Sequence, residues 1–117
     1  MGRKRALLHL VNIKDSIEAI REYTRDHTYE DFCQQRIVRD AVARNLEIIS
    51  EASRHIPDDF KSRHDAVPWP RVAALGNMLR HRYWETDPLN LWRIVQDDLG
   101  ELRTAVEAMI AGWTDAS

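Results

Sequence analysis

Cysteine is almost missing from this chain: Cys33 is the only one in 117 residues. One thiol cannot close a disulfide within the chain or build a cysteine metal site, so the pattern suits a reducing cytoplasm, with Cys33 as a small core filler. Glycine and proline are scarce too, at four each, and no stretch alternates apolar and polar residues between turn signals, which argues against strands. An excess of positive charge is also lacking. The net charge is −2 and the isoelectric point about 6.2, which excludes global attraction to nucleic-acid phosphates and makes any such contact local. Long apolar runs are absent as well. The charged opening Met1-Gly2-Arg3-Lys4-Arg5 resembles the start of a signal peptide, but His9, Asn12, Lys14 and Asp15 interrupt the apolar stretch behind it, so neither a signal nor a membrane segment is expected. Met1-Gly2 would suit N-myristoylation, yet Ala6 stands where serine or threonine is needed.

What is present reads as one soluble domain over 1–117. Apolar residues make up 44% and charged residues 31%, and a chain of this length buries roughly two-thirds of its unfolded surface. Leu10, Ile13, Ile17 and Ile20 recur at steps of three and four, predicting a first helix over about 4–26. Thr28, with Glu30 and Asp31 behind it, is an N-cap with an acidic first turn, although its capping box has aspartate where glutamate is usual. A second, long helix is expected over about 29–55 on the stripe Val38, Val42, Ile49, Ala52 and Ile56, interrupted by Asn45 beside Leu46. Pro57 opens a short helix with Phe60, and Val67-Pro68-Trp69-Pro70 forbids helix until one starts at Pro70. That fourth helix, about 70–84, puts Val72, Leu75, Leu79 and Tyr83 on one stripe. Asp87-Pro88 starts a last helix with Val95, Leu99, Leu102, Val106 and Ile110, ending near Gly112. The expectation is an all-α, up-and-down bundle of four to five helices.

The densest group of chemically useful side chains is on the fourth helix. Asn77 and His81 are four apart and share a face, with Arg80 and Trp84 beside them. An imidazole moves protons near neutral pH and a guanidinium grips phosphate through paired hydrogen bonds. The strip therefore suits metal-free RNA cleavage, although as a pattern of residues alone it is more often an ordinary solvated helix face. Asp97, Asp98 and Glu101 resemble a cation site but fit a solvated face better, and Asp40 with Arg44 reads as an i, i+4 ion pair. Neither HExxH nor Cys-His spacing occurs, so no metal and no cofactor are expected. Trp69, Trp92 and Trp113 read as core or interface anchors.

Four segments sharpen this reading. Arg44-Asn45-Leu46-Glu47-Ile48-Ile49-Ser50-Glu51-Ala52, Val67-Pro68-Trp69, Asn77-Met78-Leu79-Arg80-His81-Arg82-Tyr83 and Trp92-Arg93-Ile94-Val95-Gln96-Asp97-Asp98-Leu99, in that order and at those separations, resemble the HepT-like branch of the HEPN superfamily. The likeness runs from about residue 6 to 110. It implies an all-helical homodimer and a metal-independent endoribonuclease, its composite site in the cleft between two copies of the motif helix. Of the family motif RNxLxHxY this chain matches Asn77, Leu79, His81 and Tyr83, but Gly76 occupies the arginine position.

The resemblance assigns catalysis to His81; on the same segment Asn77 and Arg80 read as positioning groups, and Arg82 and Trp84 as RNA or nucleotide contacts, Trp84 through base stacking. Arg80 or Arg82 would stand in for the missing arginine, Arg80 being favoured because it lies beside Asn77. Tyr83 would be the residue onto which a cognate minimal nucleotidyltransferase antitoxin transfers AMP, silencing a toxin; its place on the apolar stripe also suits a ring that merely anchors the helix. Gly76 favours a rival in which the chain is a weak or inactive nucleotide-binding subunit of a nucleotidyltransferase complex. A purely structural dimerisation module is the third possibility.

Overall fold

The computed structural model describes residues 2–81 and 88–113, and those residues are helical wherever they are regular. The helices are α1 (Gly2–Thr24), α2 (Tyr29–Gln34), α3 (Arg36–Ser53), α4 (Asp58–Ser62), α5 (Trp69–Arg80), α6 (Pro88–Arg93) and α7 (Leu99–Ala111), the last two joined by a π turn, Ile94–Asp98. The long helices form the expected bundle: α3 packs on both α1 and α5, and α7 packs on α1. Leu10, Ile13, Ile17 and Ile20 of α1 are all fully buried, against Val42, Leu46 and Ile49 of α3. Among the described residues no helix is long and apolar enough to cross a membrane.

Local chemistry accounts for the element boundaries. α1 closes with the Thr24 hydroxyl donating to the Ile20 carbonyl at 2.9 Å, and Asp26 then takes a left-handed φ of 60°, a conformation aspartate tolerates better than most residues. The capping box at Thr28 is complete despite its aspartate: the Thr28 hydroxyl accepts from the Asp31 amide at 3.1 Å, and the Thr28 amide donates to Asp31 Oδ2 at 3.0 Å. That backbone hydrogen bond also holds the Asp31 carboxyl below its ordinary pKa.

Two expectations about α-helical continuity are corrected. The span 29–55 is not one helix, because Gln35 (φ −113°, ψ 86°) breaks it into α2 and α3. Arg39 stabilises the break by donating from its guanidinium to the carbonyls of Cys33 and Phe32, the latter also accepting from the Gln35 amide at 3.4 Å, so that the end of α2 is capped from beyond it. In the last helical stretch the core residues are Leu91, Ile94, Leu99, Leu102 and Val106, with a five-residue step between Ile94 and Leu99 in place of the stripe expected through Val95. An α-helix would rotate Leu99 away from the core after such a step; the π turn, with i→i+5 bonding, absorbs the extra residue. Val95 is left half-buried.

Further details settle the register of α3. Leu46 takes the core position, while Asn45 satisfies its amide on the Ala41 carbonyl at 2.9 Å. Asp40 pairs with Arg36 at 3.7 Å, and Arg44 pairs with Glu47 at 3.6 Å rather than with Asp40. Cys33 is only partly buried. Leu46→Ala is expected to lower the unfolding free energy by about 3–5 kcal/mol, the cost of a cavity in a closed core, and Asn45→Ala by about 1 kcal/mol. Urea titrations of the two variants check this; equal costs would show the register to be wrong.

Candidate functional site

Helix α5 is pinned at both ends of its exposed face. Trp69, buried at its start, donates from Nε1 to the His64 carbonyl at 3.1 Å, and Pro70 follows in the first turn, where a missing amide costs nothing. At the other end His81 is the C-cap (φ −85°, ψ −1°), its amide still bonded to the Asn77 carbonyl at 3.3 Å. Leu79 and Val72 face the core. Asn77, Arg80 and His81 are exposed on the motif helix. The expected positions of Arg82, Tyr83 and Trp84 lie outside the described residues.

Gly76 sits where α5 comes closest to α3. Its amide donates to Ser50 Oγ at 2.9 Å, and the same hydroxyl donates to the Ala73 carbonyl at 2.8 Å. A Cβ at position 76 would stand 3.0 Å from Ser50 Oγ and 3.3 Å from Arg80 Nη1. Ser50 cannot retreat without stretching two hydrogen bonds, so glycine is the residue that fits. The second distance carries as much information. The Arg80 guanidinium folds back over Gly76, into the space where a side chain at 76 would leave the helix.

Beyond Gly76 and Arg80 a polar cleft of about 370 Å³ opens between α5, α3 and α1. Helix α3 presents Arg44, Glu47, Glu51 and Arg54 to it, and α1 presents His9 and Asn12. The Arg54 guanidinium donates to the Ala73 carbonyl at 3.0 Å. Glu51 contacts His55 Nε2 at 3.4 Å, and the His55 ring stacks on His9 with centroids 4.4 Å apart and 14° between planes. Burial, then the neighbouring His55 and Arg5, depress the His9 pKa, with Glu51 opposing; its imidazole is therefore biased to the neutral form.

Of the residues singled out from sequence, Arg80 borders this cleft, whereas its lining includes neither Asn77 nor His81. The α3 and α1 residues had not been singled out as a site. Their signal was present as a polar stripe at steps of three and four, Arg44, Glu47, Glu51 and Arg54, but a solvated helix face has the same spacing. Asp97, Asp98 and Glu101 are exposed, as a solvated face requires. Trp92 packs on Phe32 and Tyr29, and Trp113 meets Phe60 edge-on.

A family model described as "Ribonuclease HepT-like" matches residues 13–109. A Methanocaldococcus jannaschii protein named "Putative RNase MJ1380" is 37% identical over 107 residues, which are 92% of this chain and 98% of that protein. "Probable ribonuclease HepT" of Thermococcus cleftensis is 40% identical over 101 residues, 86% of this chain and 92% of the relative. No solved structure gives a significant match.

Two measurements test the geometry. Gly76→Ala is expected to forgo the gain of about 1 kcal/mol that alanine normally brings to a helix interior and to destabilise instead, whereas in a Ser50→Ala background the same change should stabilise. Additive effects in this double-mutant cycle would show that Ser50 does not constrain position 76. The second concerns pH. A histidine whose folded pKa lies below its unfolded value stabilises the fold above about pH 6.5, and that contribution is lost as pH falls through the folded pKa. His9→Gln should therefore flatten the decline in stability between pH 7.5 and 5.5. His27, whose pKa is raised by hydrogen bonds to the Arg25 carbonyl and the Gln35 side chain, works in the opposite sense, so His27→Gln should steepen it.

Proposed function

Because the chain belongs to the HepT-like ribonuclease family, we propose that it is a metal-independent endoribonuclease in which Arg80 replaces the arginine absent at position 76. The observation that carries this reading is the Arg80 guanidinium lying over Gly76, 3.3 Å from where a side chain there would begin. A cation is thus delivered to that part of the helix from one turn further along. His81, exposed at the end of α5, is the proton carrier. As base it takes the proton of a ribose 2′-hydroxyl; the 2′-oxygen attacks phosphorus, the bond to the 5′-oxygen breaks, and the products are a 2′,3′-cyclic phosphate and a 5′-hydroxyl. As acid it would instead supply the proton to that leaving oxygen. Arg80 holds the phosphate as charge develops, and Asn77 orients it from the same helix.

One copy carries a single His81, so a shared groove between two copies supplies the second proton carrier and the working form is a homodimer. In this reading the chain, as the single domain 1–117, is the toxin of a two-gene pair acting on cytoplasmic RNA. A minimal nucleotidyltransferase is the antitoxin, and AMP on Tyr83 would oppose RNA by charge and bulk. Arg82 and Trp84 complete the RNA contacts. Gly76 itself favours a second reading, a nucleotide-binding subunit of a transferase complex that cuts nothing.

Incubation of the purified chain with RNA in EDTA is expected to give cyclic-phosphate ends, with no scission by His81→Ala and a loss of about two to three orders of magnitude in rate for Arg80→Ala. Absence of cleavage by the unsubstituted chain would favour the subunit reading. Co-incubation with the transferase and ATP should add one AMP mass, which Tyr83→Phe abolishes; an unchanged mass with a transferase active on another substrate counts against that assignment.

A further inference from the structure

The charged groups lining the cleft beside α5 are three arginines, Arg44, Arg54 and Arg80, and two glutamates, Glu47 and Glu51. Its two carboxylates are already engaged, Glu47 by Arg44 at 3.6 Å and Glu51 by His55 at 3.4 Å. Arg54 and Arg80 have no carboxylate partner among the described residues. Arg54 is moreover oriented before any ligand arrives. One of its terminal nitrogens is tied to the Ala73 carbonyl of α5 at 3.0 Å, and the rest of the planar guanidinium is left to donate. Ala73 is also the residue whose carbonyl receives Ser50 Oγ at 2.8 Å, so the anchor of Arg54 and the contact beneath Arg80 are one structural unit. His9 and Asn12 close the cleft from α1 with a near-neutral ring and an amide, groups that tolerate a phosphate without repelling it.

We propose that Arg54, fixed by the Ala73 carbonyl and assisted by Arg44, forms a second phosphodiester subsite that holds the RNA strand alongside α3 while Arg80 holds the reacting phosphate. The subsite rests on the ribonuclease reading for its substrate but not for its geometry. Ten residues separate Arg44 from Arg54, about 15 Å along a helix at 1.5 Å per residue, so a strand touching both must run along α3. Recognition here is of the sugar-phosphate backbone, which positions a strand without reading its bases.

The test uses the full chain. In a His81→Ala background, a 5′-fluorescein-labelled single-stranded RNA is titrated by anisotropy between 50 and 200 mM salt. Arg54→Gln is expected to raise Kd about tenfold and to reduce the slope of log Kd against log salt by about 0.7, the loss of one phosphate contact on a single strand. Arg54→Lys should keep the slope, and Arg71→Gln, on the opposite, apolar side of α5, should change neither quantity. With His81 intact, Arg54→Gln should raise KM for cleavage and leave kcat within about twofold, as expected of uniform binding. Should Arg54→Gln fail to fold by circular dichroism, Arg44→Gln, whose structural cost is an exposed pairing with Glu47 and which removes the assisting cation of the subsite, is expected to shift Kd and slope in the same direction. Parental Kd and slope in the folded glutamine variants, or no RNA binding by the His81→Ala parent, overturn the subsite. Binding that depends on Arg54 in a chain that never cleaves RNA would support the subsite and remove the nuclease reading.

Discussion

A single hydroxyl governs the spacing of the two helices that matter. Ser50 Oγ accepts from Gly76 and donates to Ala73, so α5 is drawn onto α3 until backbone and side chain touch. A Cβ at position 76 would stand only 3.0 Å from the Ser50 hydroxyl, so Ser50 would have to give by a few tenths of an ångström. Gly76 and Ser50 form one contact, and the Arg80 guanidinium occupies the space that the contact leaves above it. The Ala73 carbonyl, already receiving Ser50, receives Arg54 as well. Packing between two helices has in this way set the positions of two cations.

The electrostatics follow from that arrangement rather than from composition. Overall the chain is slightly acidic, and its ion pairs are mostly exposed pairs three or four residues apart within one helix, each of small worth. Their effect on the cleft is selective neutralisation. Glu47 pairs with Arg44 on its own helix and Glu51 contacts His55 just beyond the end of α3, while Arg54 and Arg80 border the groove. Burial, then the neighbouring His55 and Arg5, lower the His9 pKa, so near neutral pH the cleft offers donors from arginine and amide groups beside a ring biased to its neutral form.

Much of the fold was legible in the residues. The spacing of Leu10, Ile13, Ile17 and Ile20 identified both α1 and its buried face, and the Thr28 cap was readable because a hydroxyl three residues before a carboxylate satisfies two helix-end amides by local geometry alone. The motif helix and the exposure of Asn77, Arg80 and His81 were legible for the same reason: the helical period separates them from Val72 and Leu79. The break at Gln35 was not, since its stabilising partner Arg39 lies beyond it and reaches back to carbonyls that a continuous helix would have used. The five-residue step from Ile94 to Leu99 was missed because an α-helical template selects Val95 in its place.

What the sequence by itself determined were helices, the core stripes and which polar side chains α5 exposes, because these depend on interactions within a few residues of one another. What only the tertiary structure decided were the Ser50–Gly76 contact, the fold-back of Arg80 and the cleft that joins His9, Arg44 and Arg54 to the motif helix. Those residues are brought together from α1, α3 and α5 by the burial of faces pointing away from them, and a pattern along one chain does not show which solvated faces that burial will set side by side.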